Sequence, residues 1–263
     1  MTEWNKAALL LVGHGSSRVT TSRDATSRLA ETMRAQNLFA EVRECFWKEA
    51  PFLSLDLVAA PLVYVVPNFA GEGVFTRKLI PDRLGLNGRL TALSGRRVVY
   101  TDPVGSHPGM PALLQRRAES LCAANAIAPE DTALVVIGHG SSRPGGSSGT
   151  PEAVAATLRA DSRFAEVVTA FIEQEPRVAD WPALVRSRHV IAAPLLISEG
   201  MHASEDLPPL FGLATPQGGP VETAGRQVWL MGGIGRDPEV VDIILDQIRA
   251  AEAEIEQESR LRA

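Results

Sequence analysis

Twice along the chain a short, unbroken apolar run ends in the same glycine-rich loop. Residues 9–12 lead into Gly13-His14-Gly15-Ser16-Ser17, and residues 134–137 lead into Gly138-His139-Gly140-Ser141-Ser142. Aliphatic residues without polar alternation fit a strand buried on both faces, as in a parallel sheet. Helical spacing follows over 25–34 and 153–158, the second opened by Thr150-Pro151-Glu152, read as a threonine cap with proline at the first helical position. Strand-like runs come next at 42–47, 58–66 and 98–100, and again at 167–172, 190–197 and 228–231. Residues 110–124 and 239–254 carry the clearest helical patterns. Strands alternating with helices predict parallel sheets wound by right-handed crossovers, about four strands in each half.

The two halves are copies of each other. Phe39-Ala40-Glu41-Val42 recurs as Phe164-Ala165-Glu166-Val167, and Phe46 and Pro51 recur as Phe171 and Pro176. Ala60-Pro61-Leu62 recurs as Ala193-Pro194-Leu195, Glu72-Gly73 as Glu199-Gly200, and Gly95-Arg96 as Gly225-Arg226. Register kept over so many elements marks an internal duplication. The expected organisation is an amino-terminal repeat over 1–127, a carboxy-terminal repeat over 128–252 and a charged tail over 253–263 that extends the last helix and frays. The Gly/Ser-rich stretch 143–149 reads as a mobile loop.

Composition narrows the function. With 45% hydrophobic and 22% charged residues the chain has the make-up of a globular protein, and its net charge of −5 argues against nucleic acid as a partner. Cys45 and Cys122 are too few and too distant for a disulfide framework and read as core thiols. No apolar run reaches the roughly 18 residues of a membrane span, and no signal peptide is evident, so a cytoplasmic chain without membrane contact is expected.

Sites in open parallel sheets form beyond the carboxyl ends of the strands, where His14 and His139 fall. In the second half the next strand ends at Glu173, and the one after it runs into Glu199-Gly200-Met201-His202 and Asp206-Leu207-Pro208. Two imidazoles and a carboxylate on adjacent loops suit a first-row divalent metal or acid/base work, and Asp206 could orient His202. The first half departs here: Glu173 maps to Lys48 and His202 maps to Phe75. His14 is then either a relic or the lining of a shared pocket. His107 reads as an exposed loop residue, His189 as structural, and the scattered tryptophans as packing. Hydrolysis through Ser16 or Ser141 is disfavoured because the Gly-x-Ser-x-Gly elbow is absent. A carrier that holds metal or tetrapyrrole without turnover stays open beside an enzyme.

Taken in order and spacing, the stretch from Val136 through Gly138-His139-Gly140-Ser141, then Ala170-Phe171-Ile172-Glu173, Pro194-Leu195-Leu196, Glu199 to His202 and Asp206-Leu207-Pro208 resembles the class II tetrapyrrole chelatases of the CbiX type. The resemblance covers nearly the whole chain as two tandem chelatase-like, Rossmann-like α/β domains. It implies ATP-independent insertion of Co²⁺, or of Fe²⁺ or Ni²⁺, into sirohydrochlorin in cobalamin or siroheme biosynthesis, by a monomer or homodimer without a tightly bound cofactor. It further implies that His139, His202 and Glu173 bind the metal and take up the pyrrole protons, with lesser roles for His14, Asp206 and Ser141. Arg18, Arg77 and Arg143 are candidate partners for the substrate carboxylates, and Met201 and loop 145–149 for the cleft border.

Overall fold

The computed structural model describes residues 4–17, 20–141, 147–197 and 205–262. In chain order they form β1 (Ala7–Gly13), α1 (Asp24–Ala35), β2 (Glu41–Phe46), β3 (Leu62–Pro67), α2 (Ile80–Leu84), β4 (Leu90–Leu93), β5 (Arg96–Tyr100) and α3 (Met110–Ala124). There follow β6 (Thr132–Gly138), α4 (Gly149–Asp161), β7 (Glu166–Phe171), α5 (Trp181–Leu184), β8 (His189–Pro194), α6 (Leu207–Leu210), β9 (Gly218–Thr223), β10 (Arg226–Leu230) and α7 (Val240–Arg262).

Two five-stranded sheets result, ordered β2-β1-β3-β5-β4 and β7-β6-β8-β10-β9. All pairings are parallel except β4 with β5 and β9 with β10. The fold is thus the expected pair of α/β sheets with one more strand in each. The antiparallel edge strand escapes the sequence pattern because β4 has four residues and β9 opens Gly218-Gly219-Pro220.

Every residue of β1 and β6 is buried, as their unbroken apolar runs require. One face of β1 packs with Val63, Val65, Ile80 and Val98, and one face of β6 with Val190, Ala192, Trp181 and Phe211. The third strand starts four residues later than its apolar run, at Leu62. The backbone N–H groups of Ala59 and Ala60 donate to the Glu41 carboxylate instead of to a ladder, and Pro61 has no N–H to give. Helix α4 begins at Gly149 after Ser148, so Thr150 and Pro151 lie within its first turn and Thr150 is not the cap.

The compact units are not cut where the repeats are. One comprises residues 1–107 and 235–263, the other 108–234. Helix α3, from the first repeat, packs on α4 and β8, and Arg117 on it donates to the Gly232 carbonyl at 2.8 Å. Helix α7, from the second repeat, packs on α1, β3 and β5. Gln247 donates to the Pro103 carbonyl at 3.0 Å, Glu252 accepts from Trp4 and Tyr64, and Glu254 accepts from Arg89 at 2.8 Å. The charged end of the chain is therefore helical and anchored to the first unit. Among the described residues no helix is long and apolar enough to cross a membrane.

Candidate functional site

The two histidine loops are built alike, each as an extension of its sheet. Beyond the last register pair Gly138↔Phe171, the N–H of Ile172 donates to Gly138 at 3.2 Å and that of Glu173 to His139 at 2.9 Å. The first unit repeats this with Trp47 on Gly13 at 3.2 Å and Lys48 on His14 at 3.0 Å. Parallel pairing thus fixes which residue stands beside each histidine. Gly15 and Gly140 then take the left-handed turn, with φ of +67° and +73°. A Cβ at Gly140 would lie 2.8 Å from Cγ of Gln174 and 2.9 Å from Cβ of Phe171, so this position has room for hydrogen alone.

The imidazoles share one pose. Nδ1 of His139 lies 3.0 Å from the Gly140 carbonyl, and Nδ1 of His14 lies 2.9 Å from that of Gly15. A proton on Nδ1 satisfies this contact and leaves the Nε2 lone pair to bind a metal. Oε2 of Glu173 is 3.9 Å from Nδ1 of His139, and the two side chains are 53% and 40% exposed. Open to solvent yet adjacent, they can receive a ligand and exchange protons. Of the residues read from the sequence, then, His139 and Glu173 are brought together.

His202, Met201, Arg18 and Arg143 are outside the described residues, as is most of loop 143–149. Among the described residues no group of three His, Cys, Asp or Glu side chains could hold a metal ion. Asp206 is exposed just before α6, where its side chain makes no cap bond. Ser141 is held through its backbone, with its N–H donating to Oε1 of Gln174 at 2.9 Å. Arg77 pairs with Glu72. His107, expected to be exposed, is half-buried, and that burial pulls its pKa below the ordinary 6.5 although Asp246 pushes it up. His189 opens β8 with its ring edge-on to Trp229 at 6.1 Å, in keeping with a structural part.

Sequence reasoning missed Gln174. Its counterpart Glu49 does the same work in the first unit, accepting from the Ser16 N–H at 3.0 Å, and also takes Ser22 Oγ at 3.4 Å. The signal was present: Glu49 and Gln174 have the same spacing as His14 and His139.

His14 has different neighbours. Its ring lies 5.0 Å from Phe75 and 6.3 Å from Phe69, edge-on to both, and Trp47 lies 5.6 Å from Phe75. Lys48 stands where the second unit has Glu173.

Comparison with known proteins identifies the family and the fold. The CbiX family matches residues 8–121 and 133–251, one copy per repeat. A Halobacterium salinarum protein named probable sirohydrochlorin cobaltochelatase is 32% identical over 94% of this chain and 91% of its own length. A multi-domain Deinococcus radiodurans protein with structural similarity to chelatases superposes with a TM-score of 0.73 at 29% identity, over 92% of this chain but only 54% of its own. The structure of CbiX, the terminal enzyme for siroheme biosynthesis in denitrifying bacteria, superposes with a TM-score of 0.67 at 25% identity, over 93% of this chain and 98% of its own. The doubled histidine loop, the two sheets and these matches together place the chain in the CbiX family, and it is a chelatase.

Proposed function

We propose that this chain inserts a divalent metal ion, Co²⁺ before Fe²⁺ or Ni²⁺, into sirohydrochlorin without ATP, in cobalamin or siroheme biosynthesis, and that its second unit carries the chemistry. The observation that carries this reading is the His139–Glu173 pair at the carboxyl edge of the β6–β7 ladder. Support for the substrate comes from the name of the Halobacterium salinarum relative.

Insertion of M²⁺ into a tetrapyrrole releases two pyrrole protons, so the site needs a group that holds the ion and a group that accepts protons. Nε2 of His139 is the metal-binding atom in this reading. The Gly140 carbonyl fixes the ring, and Glu173, on the Nδ1 side, stabilises the imidazole when it carries a proton. His202 supplies the second imidazole, and Asp206 the carboxylate nearest to it in sequence. Once the ion passes to the ring, the freed imidazoles of His139 and His202 take up the two pyrrole protons, with Glu173 assisting. The Co²⁺ insertion rate, followed by absorbance in wild type and His139→Ala, tests the assignment.

A further inference from the structure

The positions around the first histidine have not simply lost their chemistry. The strand register makes Pro67, not Pro61, the counterpart of Pro194, and in that register the first repeat carries Trp47, Lys48, Phe69 and Phe75 where the second carries Ile172, Glu173, Leu196 and His202. Three of the four replacements are aromatic. Phe75 is the hub, 5.0 Å from the His14 ring, 5.6 Å from Trp47 and 6.1 Å from Phe69, with which it is nearly parallel at 23°. All four rings are only partly buried, and adjacent Val74 is 46% exposed. This connected, partly exposed aromatic cluster stands at the carboxyl ends of β1, β2 and β3, where an α/β sheet takes its ligands.

The charges fit one kind of ligand. Lys48 sits beside His14 through the N–H it donates to the His14 carbonyl, is exposed, and has no ion-pair partner among the described residues. Arg77 and Lys78 nearby are matched by Glu72 and Asp82. The one carboxylate at this loop, Glu49, is taken up by Ser16, Ser22 and Arg23. An aromatic wall with the Lys48 cation, unpaired among the described residues, complements a flat conjugated ring bearing carboxylates at its rim, whereas a metal ion would meet a lysine.

We infer that the first unit is a metal-free binding surface for the tetrapyrrole macrocycle, which stacks on Phe75, Phe69 and Trp47 and sets a carboxylate against Lys48. The inference rests on the tetrapyrrole class named under the proposed function, but not on turnover. Its test is a titration of the full chain with a metal-free octacarboxylate porphyrin, followed by tryptophan quenching and the porphyrin absorbance band, with Co²⁺ affinity measured separately. Lys48→Glu and Phe75→Leu should each weaken porphyrin binding about ten-fold and leave Co²⁺ affinity alone, while His139→Ala should do the reverse. Lys48 is exposed and leucine keeps the Phe75 site apolar, so both variants should melt like wild type. Porphyrin affinities within about two-fold of wild type in both variants would overturn the inference. So would an absence of porphyrin binding by wild type, or its loss in His139→Ala. If metal insertion is absent but porphyrin binding still depends on Lys48 and Phe75, the proposed function fails and the inference stands.

Discussion

Glu173 gives its backbone N–H to the carbonyl of His139 at 2.9 Å and holds its carboxylate 3.9 Å from the same residue's Nδ1. The backbone bond is sheet pairing and survives any change of side chain. Glu173→Gln therefore removes the charge and leaves the frame. The insertion rate should fall by roughly ten-fold or more, with a smaller change in the Co²⁺ dissociation constant, since the carboxylate acts on the proton held by His139. Stopped-flow rates beside metal titrations check this; equal losses in both would make Glu173 a direct ligand.

The turn after His139 admits no side chain. Gly140→Ala puts a methyl 2.8 Å from Gln174 at φ +73° and should cost about 2–4 kcal/mol. Gly225→Ala, at φ +71° but with nothing within 4 Å, should cost about 1 kcal/mol. Denaturant unfolding of the two variants measures the difference, and insertion should weaken only in the first.

Much of this was legible from residues. The unbroken apolar runs before the two loops placed β1 and β6 and hence both histidines, and the repeat alone paired Glu173 with Lys48. The edge strands were not, because residues 90–93 and 218–223 pair only locally and carry no long pattern. Nor was the helix exchange. An amphipathic helix records that one of its faces is buried, not which sheet buries it, so α3 and α7 read as parts of the repeats that precede them. Gln174 was overlooked because its counterpart is Glu49, so the repeat keeps the position but not the residue type.

The exchange sets what can be cut from the chain. Residues 108–234 contain α3 and the second sheet, so this segment should fold and bind Co²⁺ alone. A segment of 128–263 lacks α3 and carries α7 without the sheet it covers. It should aggregate or stay unfolded. Circular dichroism and cooperative melting of the two polypeptides distinguish them; the opposite result would mean that the repeats, not the compact units, are the folding units.

Acid sensitivity has a named source in Glu166. Burial pushes its carboxyl up, but hydrogen bonds from the Ser187 hydroxyl and from the Arg186 and Ser187 N–H groups outweigh this and leave it below the ordinary 4.5. The native state thus binds the proton less readily than the unfolded chain. Its stabilisation is present above pH 4.5 and is lost as the pH falls through the lower native value. Glu166→Gln should be less stable than wild type at neutral pH, with the gap closing as the pH falls below 4.5. Thermal melts across that range show whether the gap closes.

The central claim is that one of two similar histidine loops carries the chemistry, and initial rates of Co²⁺ insertion into sirohydrochlorin by wild type, His139→Ala and His14→Ala test it most directly. The account predicts a loss of about 100-fold or more for His139→Ala and less than about three-fold for His14→Ala at saturating sirohydrochlorin. Equal rates in His139→Ala and wild type, or a loss in His14→Ala as large as in His139→Ala, would contradict it.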